Sequence, residues 1–268
     1  MLKKCLTIAG SDCSGGAGIQ ADLKTFSALG TYGMSCICAL TAQNTKEVSM
    51  VENISQVMIT AQLRAIYDDI VPDAVKTGML STAETVDTVS TFLETLHPSN
   101  LVVDPVMVAT SGARLLDEDA VHLYRTKLIP LASVVTPNVP EAEVLAGMKV
   151  QTKEDMKQAA LKIMEIGPKA VLIKGGHAVQ TATDVLYNGY EFIVYEEKKI
   201  ETKNTHGTGC TLSSAIAALL AQNYSLEEAV QQAKSYLTGA IKAAALHSPG
   251  HGYGPASHFW FYKNPWRK

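Results

Sequence analysis

The chain reads Cys5-Leu-Thr-Ile-Ala-Gly-Ser-Asp-Cys-Ser-Gly-Gly-Ala-Gly18 near its N-terminus. Residues 5–9 form an apolar run typical of a buried strand, and the glycine-rich loop leads into a helical pattern at 17–29. Glycines in such a loop let the backbone approach a ligand closely. The stretch therefore predicts a strand, a ligand-binding loop and a helix in succession.

The same alternation continues along the chain. Apolar runs typical of strands recur at 35–42, 74–77, 101–104, 133–136 and 170–173. Helical patterns recur at 56–67, 83–96, 117–128, 153–166, 208–221 and 226–246. Alternating strands and helices predict an α/β fold of three α/β/α layers with a mostly parallel central sheet. The sequence shows no linker or repeat, so we expect a single domain over residues 1–268.

Local signals add detail to this prediction. Asn188-Gly189 lies between β-type runs at 183–187 and 192–198, which predicts a hairpin. Capping pairs predict three helix starts, at Ser81 with Glu84, Thr152 with Asp155, and Ser225 with Glu228.

Composition excludes several classes of function. The 268 residues carry a net charge of −3, which disfavours a nucleic-acid or anionic-membrane surface. An odd number of cysteines, five, without a CxxC pair argues against a disulfide framework or a zinc site and fits a reducing cytoplasm. The sequence contains no apolar run of about 20 residues, so we expect no membrane span.

Polar residues follow several predicted strands, at the edge where ligands of parallel sheets bind. Asp104 ends an apolar strand and suits Mg²⁺. Asn138 and Glu141 lie three residues apart at an expected helix start, although Glu141 could simply compensate the helix dipole. Lys174 ends another strand before two glycines and could meet a phosphate, or could be a solvated surface lysine.

Two further positions could contact a substrate. Gln43 and Asn44 end the second strand, where paired amides can bind a flat heterocycle; the alternative is turn capping by Asn44. Asp22 lies one turn into the first helix, where it could accept from a substrate hydroxyl or only compensate the helix dipole.

The segment Asn204-Thr-His-Gly-Thr-Gly-Cys-Thr-Leu-Ser213 predicts an anion site. Its glycines open a helix whose first N–H groups lack intrahelical partners. Cys210 lies in the first turn, where the dipole should lower its thiol pKa and allow it to act as a general base. The alternative is a small buried cysteine. The sequence contains no Walker motif, so this is not a P-loop NTPase.

A dinucleotide site is a competing interpretation of the first loop. Gly16-x-Gly18-x-x-Ala21 matches the loose form of that fingerprint. The fingerprint also needs an acidic residue about 20 positions further on, and the sequence has none between Asp22 and Glu47. The pattern therefore favours another ligand.

In this order, the segments resemble the bacterial hydroxymethylpyrimidine and phosphomethylpyrimidine kinases of thiamin biosynthesis, in the ribokinase superfamily. The matching segments span nearly the whole chain: Leu6–Asp12, Ser14–Phe26, Ala42–Thr45, Lys76–Met79, Asp104–Met107, Thr136–Asn138, Lys174–Gly176 and Asn204–Cys210. The ordered set is far more specific than any single member.

The resemblance implies a ribokinase-like fold and ATP-dependent phosphorylation of 4-amino-5-hydroxymethyl-2-methylpyrimidine and of its monophosphate, with ATP and Mg²⁺ as cofactors. It implies that the pyrimidine contacts Gly10, Asp22, Gln43 and Val106 or Met107. It implies that Mg²⁺ and phosphates are arranged by Asp104, Asn138 and Glu141, with Lys174 on an ATP phosphate. It implies an anion hole at Gly207, Thr208, Gly209 and Cys210, with Cys210 in place of the aspartate base of sugar kinases. Family members often form homodimers.

Two other functions compete. A pyridoxine or pyridoxal kinase acts on a pyridine alcohol with a similar ring-borne hydroxymethyl group, and a non-catalytic pyrimidine sensor would bind without turnover. Gln43 favours the pyrimidine, since an amide can pair with a ring nitrogen and its neighbouring amine. A flap over the site is expected around 108–115. His177, three residues after Lys174, is a weaker candidate site residue than that lysine.

Overall fold

A computed structural model describes residues 1–107, 118–176 and 181–262. Within these ranges the strands form one nine-stranded sheet in the order β3-β2-β1-β4-β5-β6-β7-β8-β9. The strands are β1 (Lys4–Asp12), β2 (Tyr32–Gln43), β3 (Val48–Asn53), β4 (Ala74–Thr77), β5 (Leu101–Val103), β6 (Val134–Val135), β7 (Val171–Gly175), β8 (Thr181–Tyr187) and β9 (Phe192–Lys198).

Helices cover both faces of this sheet. They are α1 (Gly18–Ala28), α2 (Gln56–Tyr67), α3 (Ala83–Leu96), α4 (Glu118–Leu123), α5 (Val139–Ala146), α6 (Lys153–Met164), α7 (Thr208–Ala221) and α8 (Leu226–Ala244). One apolar core lies under α2 to α6, and a second lies under α1, α7 and α8. The predicted three-layer α/β/α fold is confirmed.

The middle of the sheet is parallel and its margins are antiparallel. Strands β2, β1, β4, β5, β6 and β7 pair in parallel, whereas β3 pairs antiparallel with β2, and β8 and β9 form the predicted hairpin. In the hairpin turn, the Asn188 side chain accepts from the N–H groups of Tyr190 and Glu191, and Gly189 has φ +94°. The parallel strands bring their carboxyl ends to one edge.

The capping predictions are confirmed at two helices and wrong at one. Thr152 with Asp155 and Ser225 with Glu228 form reciprocal capping boxes. At α3 the cap is Thr82, whose hydroxyl accepts from the Thr85 N–H, and Ser81 lies one residue earlier with φ +57°. The sequence also did not predict β3, which is mostly exposed; the helix start expected at Asn138 and Glu141 is confirmed as the capped start of α5.

Helix α7 lies in the interior of the protein. Every residue of 211–221 is buried, so small and aliphatic side chains cover all of its sides. Among residues 1–107, 118–176 and 181–262, no helix combines the length and apolarity needed to cross a membrane. The buried position of α7 places its N-terminus at the carboxyl edge of the parallel strands.

Candidate active site

A cavity of about 670 Å³ opens at the carboxyl edge of the parallel strands. It receives residues from the ends of β1, β2, β4, β5 and β7 and from the start of α7. Most of the residues predicted to form the site line it: Gly10, Gln43, Asp104, Val106, Asn138, Glu141, Lys174, Gly207, Thr208, Gly209 and Cys210.

The start of α7 is fixed against the glycine-rich loop after β1. Gly207 has φ +73°, and a Cβ atom there would lie 1.9 Å from the Gly16 carbonyl oxygen. A side chain at position 207 would therefore force the two segments apart. Because the first turn of a helix leaves N–H groups without intrahelical acceptors, this contact holds a helix end of the kind that suits anions at the cavity.

Cys210 lies at this helix end and is partly buried. Burial raises the pKa of its thiol to about 11; nearby Lys76 opposes the increase, while Asp22 and Asp104 add to it. The prediction of a lowered thiol pKa was therefore wrong, because desolvation outweighs the helix dipole. At neutral pH the resting thiol is protonated.

Asp22 lies beneath the cavity, outside its lining. Both its side chain and that of Lys76 are fully buried, with Lys76 Nζ 3.0 and 2.8 Å from the two carboxylate oxygens. Thr7 and Ser214 each donate a hydroxyl bond of 2.6 Å to the same carboxylate. The prediction that Asp22 contacts substrate is thus corrected, since its oxygens are already occupied by these partners.

Lys76 itself lines the cavity and was missed by the sequence analysis. Burial lowers its pKa, but Asp22, with smaller contributions from Cys210 and Asp104, outweighs burial and raises it, so the ammonium stays charged. A lysine inside the short apolar strand 74–77 is the signal that could have identified it. Few lysines are buried in a strand without a charged partner.

A second buried pair joins the ends of β5 and β7. Lys174 Nζ lies 2.7 Å from Asp104 Oδ1, and the Ser213 and Thr136 hydroxyl oxygens lie 3.2 and 3.3 Å from the Asp104 carboxylate. The Ser213 hydroxyl shares its proton with the Gly209 and Cys210 carbonyl oxygens, 3.0 and 3.1 Å away. Burial alone would raise the pKa of Asp104, but Lys174 and Lys76 lower it. Burial likewise lowers the pKa of Lys174, and Asp104 and Glu141 raise it above its usual value. Both groups are charged at the cavity wall.

Asn138 and Glu141 form the capping box of α5. The Asn138 side chain accepts from the Glu141 N–H at 2.9 Å, and Glu141 Oε2 accepts from the Asn138 N–H at 2.8 Å. Burial raises the pKa of Glu141 to about 7, with Lys174 opposing and Asp104 adding to the shift. Glu141 thus combines a structural cap with a position on the cavity wall.

Val106 and Met107, which follow β5, have side chains in different surroundings. Val106 lines the cavity, whereas Met107 is 4% exposed and packs in the core beneath α2 to α6. Met107 contributes only its backbone here, donating its N–H to Glu141 Oε1 at 3.4 Å. The prediction that the Met107 side chain lines the substrate pocket is corrected.

Asp12 and His206 are two further residues that the sequence analysis missed. Asp12 accepts from the N–H groups of Ser14, Gly16 and Ala17, and His206 Nε2 lies 2.9 Å from its Oδ2. Burial would raise the pKa of Asp12, but these bonds, led by that of His206, hold it well below its usual value. Asp12 therefore shapes the glycine-rich loop and ties it to the segment before α7.

Comparison with known proteins identifies a family of kinases that this chain resembles over most of its length. The family model for phosphomethylpyrimidine kinase matches residues 12–257. A hydroxymethylpyrimidine/phosphomethylpyrimidine kinase from Rhizobium meliloti is 51% identical over 256 residues, which cover 95% of this chain and 96% of that protein.

The chain belongs to the phosphomethylpyrimidine kinase family.

Other similarities extend this family relationship. The thiamine biosynthesis bifunctional protein ThiED from Geobacter sulfurreducens is 48% identical over 94% of this chain. The aligned residues span 51% of the length of ThiED. A solved phosphomethylpyrimidine kinase from Clostridium difficile has a TM-score of 0.81 at 49% identity, covering 89% of this chain and 99% of that one. An ADP complex of Bacillus subtilis pyridoxal kinase has a TM-score of 0.90 at 40% identity, covering 97% and 99%.

Two predictions fall outside the part of the chain that the structure describes. The flap expected at 108–115 and the weaker candidate His177 both lie there. Among the described residues, no group of three or more His, Cys, Asp or Glu side chains is arranged to hold a metal ion. The two carboxylates predicted as magnesium ligands, Asp104 and Glu141, both line the cavity.

Proposed function

We propose that this chain transfers the γ-phosphoryl group of ATP to the hydroxymethyl group of 4-amino-5-hydroxymethyl-2-methylpyrimidine, and then phosphorylates the monophosphate. The observation that carries the proposal is one cavity lined by the Gln43 amide, the helix start at 207–210 and Lys174. The cavity thus combines an amide that can bind the ring, a helix start that can bind an anion, and an ammonium group that can neutralise a phosphate. The relatives named as hydroxymethylpyrimidine/phosphomethylpyrimidine kinases support the choice of alcohol.

Positioning and charge neutralisation do most of the work in phosphoryl transfer. The N–H groups at the start of α7 bind the transferring phosphoryl group at the positive end of a helix dipole. Lys174 neutralises phosphate charge and can turn away from Asp104, since its side chain is partly exposed and both groups line the cavity. Asn138 forms part of the cavity wall beside them.

Cys210 is the proposed base. Its thiolate takes the proton of the substrate hydroxyl, the hydroxyl oxygen bonds to the γ-phosphorus, and the bond from that phosphorus to the β–γ bridging oxygen breaks to release ADP. The thiol pKa of about 11 makes the thiolate a minor species at neutral pH. The buried Lys76 ammonium opposes that raised pKa and stabilises the negative charge on sulfur.

Asp104 and Glu141 fit a hard divalent cation by their chemistry. Both are buried carboxylates on the cavity wall, and they are close enough for Asp104 to add to the raised pKa of Glu141. Oxygen ligands of this kind suit Mg²⁺. A bound Mg²⁺ would neutralise charge on the ATP phosphates.

Pyridoxal phosphorylation is the second candidate function. The pyridoxal kinases of Bacillus subtilis and Staphylococcus aureus align with TM-scores of 0.90 and 0.89 at 40% and 38% identity. Their named substrate also carries a hydroxymethyl group on a six-membered heterocycle. The fold and the phosphate side of the cavity suit both alcohols, so recognition of the ring decides between them.

Steady-state kinetics with each alcohol tests the proposal. We expect a larger kcat/KM for the aminopyrimidine than for pyridoxine or pyridoxal, with one ADP formed per phosphoryl group transferred. Gln43→Ala should raise the KM for the aminopyrimidine more than the KM for ATP. A larger kcat/KM for pyridoxal would reverse the assignment, and binding of the pyrimidine without ADP formation would indicate a sensor.

A further inference from the structure

Five polar residues form a connected chain of contacts along one wall of the cavity. Thr41 Oγ1 lies 2.9 Å from the Ser11 carbonyl oxygen and 3.1 Å from one end of the Gln43 side-chain amide. The other end of that amide lies 3.2 Å from His206 Nε2, which lies 2.9 Å from Asp12 Oδ2. The Gln43 amide is therefore held at both ends.

The Thr41 end of the amide must be the donor. A hydroxyl carries one proton, and the Ser11 carbonyl can only accept, so the proton of Thr41 is committed to that carbonyl. Thr41 Oγ1 can then only accept from Gln43. The Gln43 atom 3.1 Å away is placed as Oε1, but this proton count reassigns it as the amide nitrogen, which donates one of its two protons; hydrogen bonds are what distinguish the two amide atoms.

The His206 end of the amide must be the acceptor. The Asp12 carboxylate is held ionised by its donors and can only accept, so His206 Nε2 carries a proton. This holds for the neutral ring protonated at Nε2 and for the charged ring alike. The Gln43 atom 3.2 Å from that nitrogen is placed as Nε2, and it is accordingly reassigned as the carbonyl oxygen. Two independent donor counts, one at each end of the amide, give the same orientation.

We infer that His206 and Thr41 are positioning residues that set the ring specificity of the kinase by fixing the orientation of the Gln43 amide. The fixed amide keeps one N–H and one carbonyl lone pair for the cavity. Such a pair complements an acceptor ring nitrogen beside a donor amino group, which an aminopyrimidine has. A pyridine alcohol without the ring amine lacks that edge. The inference rests on the proposed function, because it assumes that Gln43 meets the ring.

Reversing the amide would be costly at both ends. It would place an N–H of Gln43 against the Nε2–H of His206 and a carbonyl lone pair against the oxygen of Thr41. A partly buried donor or acceptor left unpaired loses its hydrogen bond without regaining one to water. A single orientation therefore dominates, and losing either anchor should release it.

The tautomer of His206 tests the network without any turnover. In protein labelled with ¹⁵N-histidine, the His206 signals are assigned by their loss in His206→Gln. We expect a protonated Nε2 with a directly bound proton at pH 7.5. An unprotonated Nε2 would overturn the inference, because Gln43 could then donate to it.

Isosteric and conservative changes at Thr41 test the effect on specificity. Thr41→Val keeps the shape and removes the acceptor, and we expect the kcat/KM ratio of aminopyrimidine over pyridoxine to fall about tenfold. Thr41→Ser keeps the hydroxyl and should retain the wild-type ratio. The KM for ATP should stay the same in both variants.

The outcomes separate this inference from the proposed function. An unchanged alcohol ratio in Thr41→Val, in an enzyme that phosphorylates the aminopyrimidine, would overturn the inference and leave the function standing. If wild type does not phosphorylate the aminopyrimidine, the proposed function fails. The assignment of ring specificity then fails with it, while the His206 tautomer still decides the hydrogen-bond network.

Discussion

Two aspartate–lysine pairs lie at the same edge of the sheet and differ in their surroundings. In the Asp22–Lys76 pair both side chains are 0% exposed, and two hydroxyls complete the bonding of the carboxylate. In the Asp104–Lys174 pair the lysine side chain is 13% exposed and both residues line the cavity. The same residue types thus serve two purposes: the enclosed pair fixes the floor of the site, and the open pair can exchange partners.

The difference follows from the cost of a buried charge. Removing one partner of a fully buried pair leaves an uncompensated charge that cannot reach water. Lys174 borders the cavity, so an incoming phosphate can replace Asp104 as its partner. The comparison teaches that the exposure of the lysine side chain, more than the presence of the pair, separates a charge held in one place from a charge that can change partners.

The largest expected effect is a loss of stability in Lys76→Met. Asp22 would keep its two hydroxyl donors but lose its cation while fully buried, which should lower the free energy of unfolding by about 3–5 kcal/mol. Urea denaturation followed by circular dichroism measures this loss. Adding Asp22→Asn to the variant should recover much of it. A single variant as stable as wild type would remove the distinction between the two pairs.

Lys174→Met should act on turnover more than on stability. We expect kcat to fall about 100-fold, because a preorganised charge on the transferring phosphate is lost. Unfolding free energy should fall by only about 1 kcal/mol, since Asp104 lines the cavity, where water can take the place of the lost ammonium, whereas Asp22 is enclosed. Lys153→Met, at the exposed pair with Glu196, is the matched control for both measurements. Near-normal turnover in Lys174→Met would contradict its role.

Cys210→Ala tests the contribution of the proposed base apart from that of the surrounding charged groups. We expect kcat to fall about 100-fold with little change in ATP binding. Since the thiol pKa is about 11, the thiolate fraction of wild type increases between pH 7 and 9, and kcat should increase with it. The variant should lose that increase. Parallel pH profiles in the two proteins would show that Cys210 is not the base.

A third pair should give the smallest effect. Lys234 Nζ lies 2.6 Å from Asp184 Oδ2, and Asp184 Oδ1 accepts from the Gly175 N–H, next to Lys174. Lys234→Met should loosen this backbone contact and raise the KM for ATP by about threefold to tenfold. The KM for the alcohol should not change. Equal increases in both KM values would assign the pair a general structural role.

The layout of the fold followed from short-range patterns. Apolar runs marked all six parallel strands, and placing ligands beyond their carboxyl ends brought Gln43, Asp104 and Lys174 to one cavity. The exposed edge strand 48–53 has no buried face to produce such a pattern. It could not be predicted by the same criterion.

Errors in the site arose where three-dimensional burial decides the chemistry. The sequence placed Asp22 near a helix start but could not show that Lys76, 54 positions later, would occupy its carboxylate. The helix-dipole argument for Cys210 is local, whereas desolvation depends on everything packed around the thiol. The roles of Asp12 and His206 depend on a contact across 194 positions.

The most direct test of the account is ³¹P NMR of the wild-type protein with MgATP and 4-amino-5-hydroxymethyl-2-methylpyrimidine. The account predicts loss of the ATP γ-phosphate signal together with growth of a phosphate monoester signal on the alcohol. A diphosphate signal should follow. Intact ATP, or release of inorganic phosphate without any phosphorylated pyrimidine, would contradict it.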